Sequence, residues 1–448
     1  MNNTGNVSGR RFIGVVALIH LAFFLLACYY RRIFMGDSFE YIYEAVNIKD
    51  ALFFYSGNPA MPIEAEYMTQ RQPLYPIFLL SVYLFGVNNW VVLALQNLLS
   101  VFNIWYARKS LFILGYKEKW DKWLMLMVVA YPIQFIYANT IAPEILLQTF
   151  VLIYIRQMIL MSLHKKWSHA AWASVALIAG LFVKPVLYPF VTVHLILLTI
   201  WAIRNRMNFL RAVGIGTLPL LAVLMYNSWN MQRTGKFHFS SNQGFNAIFY
   251  YYKYLAEKEG AEKARTFLNT ERAKMAAMPK FKERYDYANE RVKELLKENF
   301  GPYMAVHLKH SARLLIEPGK GQIDLFTGKL TYGNLYQERT EGFYARLKRE
   351  GIGGLPGYVK ENPSFFIAMV VLLFNIIRLA GMVMFFCSRK VLLPLRLFLL
   401  LMTGYFVMTT GPIANTHYFL PISLTAIGCA VIGIMNWRDR VRNTKLEA

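Results

Sequence analysis

The sequence predicts an all-α polytopic membrane protein, and three observations carry that prediction. Ten apolar stretches reach or approach spanning length, the short loops between them concentrate lysine and arginine on one side, and the composition is that of a chain dissolved in lipid. Of 448 residues, 56% are hydrophobic, 16% aromatic and only 17% charged, a balance that a soluble chain of this length does not need. Formal net charge is +23. In a soluble protein that value would raise nucleic-acid binding. Beside so many apolar runs, cytoplasmic lysine and arginine account for it better, and no base-reading or RNA-stacking motif appears, so no nucleic-acid partner is expected. Cys28, Cys387 and Cys429 all lie in apolar segments without paired spacing, which supports neither a disulfide framework nor a zinc site.

The first apolar run, 12–30, follows Arg10-Arg11 and ends at Arg31-Arg32 with no small-residue cleavage site, so it reads as a retained anchor. Nine more runs follow at 90–107, 123–142, 145–163, 170–183, 186–203, 209–226, 363–386, 391–410 and 417–436. The run 73–86, PLYPIFLLSVYLFG, has about 14 residues, a length that lies in the interface more readily than it crosses. Orientation decides its case. If it does not cross, Arg10-Arg11, Arg108 to Lys122, Lys165-Lys166, Arg204 to Arg211, Arg389-Lys390 and Arg438 to Lys445 all face one side. Asn139 to Glu144 and Gly411 to His417, which lack Lys and Arg, then face the other, as the positive-inside rule requires.

The expected organisation is an N-terminal transmembrane module over 1–226 with a first outer loop at 31–89, an extracytoplasmic domain over 227–362, and a C-terminal transmembrane module over 363–448. Both ends are then cytoplasmic. The outer domain should be mainly helical, with a long helix near Ala261 to Asn299 where Glu, Lys and Arg recur at helical spacing.

Ionisable residues near membrane spans are functional candidates, because their burial needs a partner or a purpose. On the outer side these are Asp37, Glu40 and Glu44 after the first span, Arg71 before the Pro73 segment, Glu144 at a span end, Lys184 between two spans, and His417 with Tyr418 at the last span. Each has a plainer reading. Asp37 with Ser38 can cap a helix that presents Phe39, Ile42 and Val46 on one face. Glu144, after Pro143, suits the first turn of a helix through the dipole alone. Arg71, Lys184 and His417 can snorkel to lipid phosphates. Together, two carboxylates and separated cations on one face suit a reaction at a phosphate-linked group, with a base for the nucleophile and cations for the leaving phosphate. They would also suit a transporter of an anionic lipid.

Several segments in series resemble the GT-C superfamily of polyprenyl-phosphate-sugar glycosyltransferases, which includes protein O-mannosyltransferases and lipid A aminoarabinose transferases. They are GDSFEYIYEA after the first span, RQPLYPIFLLSVYLFG in the first outer loop, ANTIAPEILL at the next outer turn, LIAGLFVKPV, NSWNMQRTGKFHFSSNQGFNAIFYY, and THYFLPI at the last span. Their order runs across most of the chain. The resemblance implies a GT-C-type bundle of about ten spans and an inverting transfer from an undecaprenyl-type phosphate sugar to an acceptor hydroxyl. The reaction would run at the periplasmic face of a bacterial inner membrane.

By that resemblance Asp37 is the general base and Glu144 the second acidic position, which in relatives orients the site or helps hold a metal. No metal site is assigned, and a divalent cation stays open as a cofactor. Arg71 and Lys184 would hold the donor phosphate. His417 stands where many relatives place an arginine, and Gln72 replaces the proline of the commoner motif. Tyr75, Tyr418 and Asn246 fall where substrate contacts are expected, Asn246 in a 239–249 segment that also reads as a Gly/Asn turn. The partners implied are a polyprenyl-phosphate-linked sugar, membrane lipid, and a glycan, lipid or protein acceptor. A lipid-linked saccharide polymerase or ligase, and a flippase for such a saccharide, are the alternatives. A transporter should show inverted repeats or broken helices in matching halves, and no such internal symmetry is visible.

Overall fold

The computed structural model describes residues 4–330 and 343–447, and positions 331–342 of the expected outer domain lie outside the described residues. Among them the protein is helical, with no strand. The first membrane module comprises α1 (Thr4–Tyr30), α2 (Ser38–Ala51), α3 (Leu74–Tyr83), α4 (Asn89–Phe112), α5 (Asp121–Val129), α6 (Ile133–Ala138), α7 (Glu144–His164), α8 (Trp167–Val183), α9 (Phe190–Arg204) and α10 (Phe209–Thr234). The loop domain contributes α11 (Asn242–Lys258), α12 (Ala261–Ala276), α13 (Phe281–Leu314), α14 (Lys320–Phe326), α15 (Phe343–Glu350) and α16 (Leu355–Glu361). The chain closes with α17 (Phe365–Cys387), α18 (Leu393–Met408) and α19 (Leu420–Glu447).

Among the described residues six helices are long and apolar enough to cross a membrane, and four shorter apolar helices accompany them, α3, α8, α9 and α18. The protein is thus an integral, multi-pass membrane protein. α3, expected to lie in the interface, has 10 residues and is too short to cross. The span expected as one helix over 123–142 is instead two, α5 and α6, parted at Ala130-Tyr131-Pro132. Proline supplies no N–H to the preceding turn and pushes the residue before it out of helical geometry, so an apolar run is split without losing hydropathy.

Side chains from neighbouring helices fasten α6 and the turn that follows it. Gln96 on α4 donates to the Thr140 carbonyl at 2.7 Å, and Asn97 donates to Asn139 Oδ1 at 2.8 Å. Below them Gln134 donates to Ser100 Oγ and to Gln148 Oε1, each at 2.8 Å, and Gln148 reaches the Leu420 carbonyl at 2.8 Å. This buried amide network joins α4, α6, α7 and α19, and it fixes the start of α7, where Glu144 stands.

The helices sort charge by end. α7 leaves Glu144 and reaches His164, and α8 returns from Trp167 to Val183, so Lys165-Lys166 and the Glu144–Lys184 pair occupy opposite ends of one helix pair. In the loop domain the helix expected over 261–299 is interrupted at Pro279, giving α12 and α13, and α13 itself kinks at Asn299, three residues before Pro302. The C-terminus of α13 plugs into the bundle. Arg378, buried in the middle of α17, donates to the Leu315 carbonyl at 2.8 Å, and Asn375 donates to the Glu317 carbonyl at 2.9 Å.

Candidate active site

After α1 the chain runs without helix to Asp37, the N-cap position of α2. Asp37 makes no side-chain cap bond, contrary to the capping expectation. Ser38 does the local fastening: its hydroxyl accepts from the Met35 amide and donates to the Ile141 carbonyl, both at 2.7 Å. A second bond, from the Ile141 amide to the Ile33 carbonyl at 2.8 Å, stitches the first loop to the turn before α7. The buried face of α2 carries Tyr41, Ala45 and Ile48, and Phe39 is left exposed, so the face expected from Phe39, Ile42 and Val46 is displaced around the helix. Turned this way, α2 aims the Asp37 carboxylate into open space.

Arg71 meets it there. Its guanidinium lies 3.0 Å from Asp37 Oδ1, donates through Nε to Glu40 Oε2 at 2.5 Å, and sits 5.1 Å over the Tyr41 ring. Burial raises the Asp37 pKa, but Arg71, Lys184 and His417 together outweigh it and hold the carboxyl below the usual aspartate range. For Glu40 the balance reverses. Burial pushes its carboxyl up by more than Arg71 pulls it down, and the Asp37 charge adds to the rise. Two acids three residues apart are thereby shifted in opposite directions by their surroundings.

The second pair is built by two prolines. Pro143 starts α7 and places Glu144 in its first turn, while Pro185 forces Lys184 into extended geometry (φ −154°, ψ 135°) at the end of α8. Lys184 Nζ then meets Glu144 Oε1 at 2.7 Å and lies 5.5 Å over the Tyr418 ring. Glu144 Oε2 is buried and makes no hydrogen bond among the described residues. His417 packs against Tyr418, with ring centroids 4.1 Å apart, and against Tyr137 at 6.0 Å.

One cavity of about 1300 Å³ gathers these groups. Asp37, Arg71, Glu144, Lys184, Asn246, His417 and Tyr418 all line it, although 380 positions separate the first from His417. Tyr75 does not. It is fully buried, donates to Gln96 Oε1 at 2.7 Å, and supports Tyr41 from behind in an edge contact at 5.0 Å. Its short helix packs closely on α2, and that packing leaves no path from the Tyr75 ring to the cavity.

The sequence reading missed Tyr41, Tyr250 and a row on α12, Arg265, Asn269 and Arg272, that lines the same cavity. The α12 row recurs at i, i+4 and i+7, but charged residues stand on nearly every face of that helix, so spacing alone could not pick out the inward one. No three His, Cys, Asp or Glu side chains come together as a metal-ligating group among the described residues.

No family model matches the chain, and no curated protein matches it. Among solved structures, it is similar to ArnT from Cupriavidus metallidurans bound to undecaprenyl phosphate, at 13% identity over 96% of this chain and 78% of that one, with a TM-score of 0.41. The apo form of the same ArnT aligns at 10% identity over 95% of this chain and 77% of that one, with a TM-score of 0.37. Likeness of this degree does not assign the chain to a family.

Proposed function

We propose that the protein is an inverting glycosyltransferase that moves a sugar from a polyprenyl-phosphate donor to an acceptor hydroxyl at the outer face of a bacterial inner membrane. The observation that carries this reading is the contrast inside the cavity. Asp37 is open, ionised and steered by Arg71, while Glu144 is already engaged by Lys184.

In the proposed reaction Asp37 takes the proton from the acceptor hydroxyl, and the hydroxyl oxygen forms a bond to the anomeric carbon. The bond from that carbon to the lipid-phosphate oxygen breaks on the opposite side, so configuration inverts and the phosphate leaves with its negative charge. Arg71 and Lys184 receive that charge as it develops. A carboxylate already below its ordinary pKa is a modest base but an always-ready one, which suits a step where the leaving group needs little protonation.

Helices α11 and α12 supply one wall of the cavity, and α3, too short to cross, would lie in the interface as a guide for a polyprenyl chain approaching from the lipid. Were a divalent cation to take part, Asp37 and Glu40 would be the carboxylates to hold it, and it would neutralise charge on the donor phosphate. The test is reconstitution in nanodiscs with undecaprenyl-phosphate-linked radiolabelled sugars and a mixed set of glycan and lipid acceptors. A new glycosidic bond with inverted configuration supports the reading. Movement of labelled donor across liposomes with no new bond replaces it with the flippase.

A further inference from the structure

The two walls of the cavity differ in how their charges are balanced. On the membrane side each ionised cation is paired, Arg71 with Asp37 and Glu40, and Lys184 with Glu144. On the loop-domain side Arg265 and Arg272 are exposed to the cavity and, among the described residues, form no ion pair. They stand seven positions apart on α12, about 10 Å along the axis at 1.5 Å per residue, on one face, with Asn269 between them.

This row is held rigidly. The side of α12 turned to α13 is anchored by Glu271, whose side chain is 2% exposed. Glu271 accepts the Tyr287 hydroxyl at 2.5 Å and lies 3.3 Å from Arg291 Nε. The arginines therefore point inward without being consumed by the protein's own acids.

The donor phosphate is a poor match for them. Its lipid tail keeps it beside the membrane wall, whereas α12 packs mainly on α11 and α13 rather than on a spanning helix. The space also exceeds one ligand: about 1300 Å³ stands against the roughly 300–1,000 Å³ typical of a single small-molecule site.

We propose that Arg265, Asn269 and Arg272 form an acceptor subsite for a glycan carrying a negative group, phosphate or carboxylate. The inference rests on the transferase reading above. The guanidinium forks would grip the anion bidentately and Asn269 would donate to a neighbouring sugar oxygen, which orients the acceptor hydroxyl toward Asp37.

The experiment is binding of three probes to nanodisc-embedded protein: glucose 6-phosphate, glucuronate and uncharged glucose. Undecaprenyl phosphate binding is measured in parallel. Wild type should prefer at least one charged sugar over glucose by about tenfold or more, as expected for charge-assisted hydrogen bonds. The phosphate and carboxylate arms then say which anion is meant. Arg265→Gln with Arg272→Gln should erase the preference, Arg265→Lys with Arg272→Lys should keep part of it, and both variants should bind undecaprenyl phosphate as wild type does.

A wild type without preference, a preference that survives the double glutamine variant, or loss of undecaprenyl phosphate binding in that variant overturns the subsite. Preference intact in a protein that transfers no sugar overturns the acceptor role and the proposed function together. Preference absent in a protein that does transfer sugar overturns the subsite alone.

Discussion

Two acid–cation pairs face the same cavity, and they are opposites in exposure. The Asp37 side chain is 60% exposed and Arg71 divides its guanidinium between two carboxylates, whereas Glu144 is 6% exposed and takes Lys184 for itself. An ion pair closed off from water holds its members tightly because neither has another partner, and removing one strands the other. Asp37 instead opens onto the cavity beside an Arg71 that Glu40 also holds, so its carboxylate is accessible to a substrate. The difference divides the proposed work within one site: Asp37 acts on the acceptor, while Glu144 orients Lys184 toward the donor phosphate and ties the end of α8 to the start of α7.

That division breaks or stands on four measurements. Asp37→Asn should lower turnover by about 10²–10⁴-fold, the ordinary worth of a general base, with undecaprenyl phosphate binding and thermal midpoint unchanged. Full turnover in that variant ends its role as base. Glu144→Gln should act on stability, losing about 3–5 kcal/mol because the Lys184 charge is left buried alone, and Glu144→Gln with Lys184→Gln should recover most of it. A Glu144→Gln protein that melts normally yet turns over nothing would exchange the two roles.

The third measurement is the pH profile of kcat/KM. Asp37 is held below its ordinary value, so the base stays ionised until pH falls through that lowered pKa. The acidic limb should thus lie below the ordinary aspartate value of about 3.9. Arg71→Gln removes the main opposing charge and should move the limb to higher pH, whatever it does to the maximum. Smallest is Tyr75→Phe: loss of the bond to Gln96 should cost about 1–2 kcal/mol in thermal unfolding, with turnover retained.

The spanning segments were legible because hydropathy over some twenty residues averages out detail, and the same averaging hid two features. Pro132 breaks a run that is predominantly apolar on both sides of it, and Arg378 sits in a run apolar enough to mask it. The gathering of Asp37, Arg71, Glu144, Lys184 and His417 was foreseeable from sidedness, since all fall at the same ends of alternating helices. Their partners were not. Whether Lys184 chooses Glu144 or lipid depends on a pair 40 residues apart in sequence meeting across two helix ends, and Pro185 is the nearest local hint. Tyr75, placed by motif in the substrate region, stands behind Tyr41 and bonds to Gln96, a placement that depends on which side of α3 it occupies and that sequence does not fix.

Arg378 reaches from within a lipid-facing helix to the last carbonyls of the loop domain's longest helix. Parting the two would leave a guanidinium buried beside the Tyr131 and Phe419 rings without its acceptor, and peptide oxygens without their donor, and each loss resists separation. The end of α13 is thereby tied to the middle of α17 by two side chains from a single apolar helix.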